Sequence, residues 1–205
     1  MHPAAAFHEA DRAQLVTRAN ARGLALIITV EGGRPRLAHA PILLDAQRLR
    51  FHLSAANPLA RGIDPSGRAL AVVTATDAYV SPDWYGLDDQ VPTWNYLSVE
   101  IEGPTRRLDR QGLLAILDDL SARHEATLAP KPPWTRAKLT PGRLEAMLAG
   151  VVGFEMAVER LEGITKLSQN KPAQAMAAAA NRLAERPGEG EREIASAMRM
   201  DLANR

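Results

Sequence analysis

Between residues 11 and 22 the apolar positions Ala13, Leu15, Val16 and Ala19 recur at helical spacing, and Gly23 stands where a helix would stop. The period then changes. Leu24 to Val30 is a compact run rich in branched residues, Glu31-Gly32-Gly33-Arg34 is a strong turn, and Pro35 to Leu44 follows, so residues 24–44 are expected to form a hairpin. Leu49, Phe51 and Leu53 alternate with Arg48, Arg50, His52 and Ser54, the pattern of a half-buried strand with one polar face. Residues 69–75 read as another buried strand. Further on, Asn95, Leu97, Val99 and Ile101 alternate with Trp94, Tyr96, Ser98 and Glu100, which predicts a long strand ending near Gly103-Pro104.

Asp109 is a candidate N-cap for a helix that puts Leu113, Leu117 and Leu120 on one side and runs to about His124. Thr140-Pro141 opens a short helix by cap and first-turn proline, and Val152, Phe154, Met156 and Val158 give the last strand. After the loop from Lys166 to Pro172 an alanine-rich helix is expected from Ala173 to about Arg186. Pro187-Gly188-Glu189-Gly190 breaks it, and Glu191 to Leu202 predicts a final, marginal helix. About six antiparallel strands arriving by hairpin, with peripheral helices, define a mainly β member of the α+β class, a barrel rather than a βαβ sheet. The expected organisation is one domain over residues 1–165 and a helical tail over 166–205, packed on that domain or extending from it.

Composition narrows the chemistry. The chain of 205 residues has no cysteine, which removes disulfides, iron–sulfur clusters and thiol catalysis and makes a reducing cytoplasm the expected compartment. The first residues lack the basic-then-apolar order of a signal peptide, and the run Leu24–Val30 is too short to span a bilayer, so no membrane association is expected. Lys and Arg number 25 against 24 Asp and Glu, a net charge of +1 that gives no general pull toward nucleic acid. No basic recognition helix is visible either, so direct DNA binding has no support from charge or motif. The glycine-rich dinucleotide and phosphate loops are absent from the sequence, as are HExxH and GxSxG. The five histidines are too scattered to set a metal site by spacing, and none is expected.

Two features do carry chemistry. Five of the nine aromatic residues fall between Tyr79 and Tyr96, where even scattering would place about one. Such a cluster suits either the wall of a flat ligand or the centre of a protein interface, and equally a corner of the core. The second feature is Arg50-Phe-His52-Leu-Ser54-Ala-Ala-Asn57-Pro58, in which Asn57 caps a short helix after a strand whose polar face carries His52 and Ser54. With Arg34, Arg36, Arg48, Arg50, Arg61 and Arg68 gathered in the same third of the chain, this region suits an anion, and Arg36 is expected to approach from the neighbouring strand.

The strings His52-Leu-Ser-Ala-Ala-Asn-Pro58, Ala78-Tyr-Val-Ser-Pro-Asp-Trp-Tyr85, Val91-Pro-Thr-Trp-Asn-Tyr96, Val152-Gly-Phe-Glu155 and Gly163-Ile-Thr-Lys-Leu-Ser-Gln-Asn170 resemble the PaiB-like family of FMN-binding negative transcriptional regulators. The resemblance spans nearly the whole chain. It implies an FMN-binding split barrel similar to pyridoxamine-phosphate oxidases, a homodimer with flavin at the subunit interface. It places Arg36, His39, His52, Ser54 and Asn57 on the phosphate and ribityl side, and Trp94, Asn95, Lys166, Ser168 and Gln169 as further wall and polar contacts. The alternatives it leaves open are an FMN-dependent oxidoreductase acting on a small molecule and a haem-binding split barrel with a histidine as axial ligand.

Overall fold

The computed structural model describes residues 2–63 and 67–205. By contacts it divides into two compact units: unit 1 takes the residues up to Asp11, Thr74–Val99 and Glu162–Arg205, and unit 2 takes Arg12–Val73 and Glu100–Leu161. The strands are β1 (His8–Glu9), β2 (Leu24–Glu31), β3 (Arg34–Leu44), β4 (Arg48–Ser54), β5 (Arg68–Val80), β6 (Thr93–Arg107), β7 (Val151–Ala157) and β8 (Arg160–Lys166). The α-helices are α1 (Arg12–Arg22), α2 (Pro58–Gly62), α3 (Arg110–Ala126), α4 (Pro141–Ala149), α5 (Ala173–Ala184) and α6 (Glu189–Ala203).

In unit 2 the hydrogen-bonded order β6-β5-β2-β3-β4-β7 returns to β6 through a β6–β7 pairing, so six strands make a closed ring. The turn that starts it is the one expected. Glu31 pairs with Arg34, and Gly32 and Gly33 take φ of 55° and 76°, the two left-handed residues that a tight hairpin turn requires. Alternation fills the ring, with Ala25 and Ile27, Ala38 to Leu44 by twos, Leu49, Phe51 and Leu53, and Phe154 and Met156 all buried. Phe51 lies opposite Phe154 in the β4–β7 register, and their rings stack with centroids 5.3 Å apart. Helix α1 buries Leu15 and Ala19 and ends at Gly23, whose φ of 67° completes the cap. Asn20 then clamps it to β3, donating to the Leu44 carbonyl at 2.7 Å and accepting from the Leu44 amide at 2.9 Å.

Helices α3 and α4 contribute Leu113, Ile116, Leu120 and Leu148 to a second cluster, with Leu43 of β3 and Val151 of β7 packed against it. The Asp109 carboxylate caps α3 as expected, accepting from the Gly112 amide at 2.8 Å. Thr140 precedes α4 without a side-chain cap, and Pro141 alone marks that start.

In unit 1 the strand order is β1-β8-β6-β5, and α5 and α6 pack on Ala78, Val80, Tyr85 and Leu167. Four sequence expectations change, the first being that β5 runs on to Val80, five residues beyond the stretch expected. Strands β1 and β8 join the expected six, because β1 has only two residues and β8 buries the adjacent pair Gly163 and Ile164, which hides its alternation. Strand β6 runs through Gly103-Pro104 to Arg107. Proline is tolerated there because pairing with β7 begins only at Thr105. Helix α6 is a packed element rather than a marginal one, with Ile194, Ala195 and Met198 at most 1% exposed.

Candidate functional site

Ten residues were singled out by sequence, and each unit holds five of them. In unit 1 the aromatic stretch divides. Tyr85 is buried, Trp84 and Tyr96 are half-buried, and Tyr79 and Trp94 are 46% and 55% exposed. The exposed pair meets edge to face, centroids 6.1 Å apart, and Val91 beside it in sequence is 74% exposed. Trp94 is therefore free to present an aromatic surface, whereas Tyr85 serves the core.

Asn95 and Ser168 come together, 73 residues apart in the chain. The Asn95 amide donates to the Ser168 hydroxyl at 3.0 Å and its carbonyl lies 3.1 Å from the same oxygen, while the Tyr85 hydroxyl sits 2.7 Å away. Asn95 and Ser168 are 0% and 3% exposed, so the trio forms an interior joint. Burial raises the Tyr85 phenol's pKa, and the bond to Ser168 partly opposes it. Ser168 has φ of 64°, an uncommon left-handed serine. The turn is braced by Gln169, which accepts from the Leu167 amide at 2.6 Å and donates to the Thr165 carbonyl. Gln169 thus shapes the loop.

Lys166 differs from all of these. Its ammonium donates to the Thr93 hydroxyl at 2.7 Å and lies 5.8 Å and 6.0 Å from the ring centroids of Phe7 and Tyr96. No carboxylate pairs with it among the described residues, and partial burial lowers the amine's pKa. Phe7, which had no signal in the sequence, enters because β1 pairs with β8, placing His8 opposite Ile164.

In unit 2 the Asn57 cap is formed: its side-chain oxygen accepts from the Leu59 amide at 2.9 Å, with Pro58 in the first turn. Ser54 is exposed and accepts from the Ala56 amide at 3.3 Å, and His39 is exposed opposite Leu26. Arg36 does not join them. The register Ile42 to Phe51 puts the even-numbered positions of β3 on the face of Leu49 and Phe51, opposite the face of His52 and Ser54. Arg36 bonds instead to Glu31 at 3.2 Å. Arg48, Arg50 and Arg68 are likewise engaged by Asp45, Asp119 and Glu102, so most of the expected anion cluster is satisfied within the chain. His52 lines a cavity beneath α3 and α4, its Nδ1 buried without a partner. Burial holds its imidazole below the usual pKa.

A strand ring with helical cover is a fold shared with flavin proteins. The FAD and heme binding protein from Mycobacterium smegmatis superposes with a TM-score of 0.61 at 19% identity, over 83% of this chain and 79% of that one. A flavocytochrome from Azotobacter vinelandii gives 0.58 at 14% identity, over 81% and 72%. At such identities the likeness is one of fold. Sequence goes further. Residues 1–160 match the family model described as "Putative FMN-binding domain", and the chain is 32% identical over 149 residues to the Protease synthase and sporulation protein PAI 2 of Bacillus subtilis (strain 168), over 71% of this chain and 70% of that protein. The chain belongs to this PaiB-like FMN-binding family, and FMN is the cofactor its residues must fit.

Proposed function

We propose that the protein is a homodimeric, FMN-binding negative regulator of transcription of the PaiB-like type. The observation that carries the flavin reading is Lys166: a partly buried ammonium with no carboxylate partner among the described residues, bordered by Phe7 and Tyr96. A cation left in such a place suits an anionic group on a flat ligand, and FMN offers a phosphate and an electron-rich ring edge. Lys166 would hold that group, with Thr93 fixing its ammonium, and Trp94 would offer ring surface. FMN, when bound, supplies reversible electron transfer. The regulatory reading rests on the family and on the relative named for protease synthase and sporulation.

The test is titration of the purified protein with FMN, followed by flavin fluorescence and visible absorbance. Saturable binding is expected, weakened at least ~10-fold in Lys166→Met, the size of a lost charge-assisted contact. Unaltered affinity in that variant removes Lys166 from the site, and no saturation in the native protein ends the flavin reading. Sustained NAD(P)H oxidation by the loaded protein would replace the regulator with an oxidoreductase, and a Soret band on adding haem, with no flavin uptake, would favour the haem alternative.

A further inference from the structure

Unit 2 holds a cavity of about 250 Å³ whose wall is mostly hydrocarbon: Leu114 and Leu117 of α3, Leu144, Met147 and Leu148 of α4, and Val151 of β7. His52 is the only lining residue from β4, and its Nδ1 is one of two buried side-chain polar atoms among the described residues that lack a partner. The charged lining groups are engaged with each other. Asp118 and Arg136 form an ion pair at 3.0 Å and cancel one another's charge, and Ser121 of α3 adds one half-buried hydroxyl to the wall. Trp134 completes the wall on the loop side.

Size and chemistry together limit the occupant. A dry apolar cavity of roughly 150 Å³ takes benzene, whereas drug-sized ligands need roughly 300–1,000 Å³. The space between suits one substituted ring and is small for FMN. Burial lowers the imidazole's pKa, so His52 is neutral near pH 7 and offers one donor and one acceptor nitrogen. A hydroxyl both donates and accepts, and so satisfies Nδ1 in either tautomer. A carboxylate gains nothing here, since Arg136 already holds Asp118.

We propose that this cavity is a binding site for a small monocyclic phenol, with the ring against the leucines and Val151 and the hydroxyl bonded to His52 Nδ1. The proposal stands independently of the flavin reading. It also gives His52 a role separate from the phosphate side on which its strand position first placed it.

The probes are p-cresol and toluene, which differ by the hydroxyl alone, titrated into the full chain by calorimetry with the Trp134 region followed by tryptophan fluorescence. Saturable p-cresol binding at least ~10-fold tighter than toluene is expected, because a site with an unpaired polar group discriminates against the ligand that cannot satisfy it. His52→Leu should bring the two ligands to within ~3-fold of each other. Leu114→Phe, which fills the cavity and leaves His52 in place, should lose both while retaining the native circular dichroism melt. No saturation by p-cresol, or equal affinity for toluene in the native chain, overturns the proposal. Repeating the titration on FMN-saturated protein should leave the p-cresol affinity intact. Displacement of FMN by p-cresol would show the cavity to be part of the flavin site and sink the separate assignment, whereas failure of FMN to bind at all leaves the cresol result standing by itself.

Discussion

Ser168 shows how much one hydroxyl can organise. Its oxygen meets both polar atoms of Asn95 and the Tyr85 phenol, so removing it strands the Asn95 carbonyl and the phenol and leaves the Asn95 amide only Met198 Sδ at 3.6 Å. Ser168→Ala should lower unfolding free energy in urea by about 1–3 kcal/mol, and Tyr85→Phe by only about 1 kcal/mol, because the serine keeps its asparagine. The Asn57 cap behaves differently: Asn57→Ala should cost about 1 kcal/mol in chemical denaturation, while Asn57→Asp keeps the cap and with it the stability. His52 sets a pH dependence. With its folded pKa below the ordinary 6.5, stability is complete above that value. As pH falls the unfolded chain takes up its proton first, and stability declines until the folded pKa has been passed. Melting curves between pH 7 and 5 should therefore flatten in His52→Leu. Local chemistry of this kind was legible in the sequence where the partners were neighbours, as with Asn57 and Asp109. It was illegible for Asn95 and Ser168, whose partnership depends on which strands meet.

At the level of elements, periodicity located α1, the β2–β3 hairpin, β4, α3 and β7 to within about two residues, the usual reach of such patterns. It missed β8, where Gly163 and Ile164 are both buried and the period of two is lost, and it undervalued α6, in which Ile194, Ala195 and Met198 are interior although Met200 is 63% exposed. Charge counting misled at α6 because Ile194, Ala195 and Met198 share one face while the acids and bases take the others. Met198→Ala should consequently cost about 2–5 kcal/mol, the ordinary range for a core methionine, where an unpacked helix would show almost none. A sharper test lies in β6. A Cβ on Gly103 would stand 1.7 Å from the Ala157 carbonyl oxygen, an overlap only backbone movement can relieve. Gly103→Ala should lower the melting temperature severely, with a loss of about 3 kcal/mol or more.

For the molecule as a whole, the proposed homodimer has a candidate face in the exposed Tyr79, Val91 and Trp94 of unit 1. Large apolar residues left in water at neighbouring positions are typical of interface centres. Trp94→Glu should shift the protein from dimer to monomer in light scattering and lower its FMN affinity, and a variant that remains dimeric would assign the contact to another surface. The two units differ in how the chain supplies them: unit 2 is drawn from two stretches that end at Leu161, whereas unit 1 needs its early residues, a middle stretch and everything from Glu162 onward. On the ribosome, unit 2 therefore has all of its parts while unit 1 still waits for α5 and α6. A nascent chain arrested just after Leu161 clears the exit tunnel would carry Ala78, Val80 and Tyr85 uncovered, and that interval is when a chaperone has most to hold.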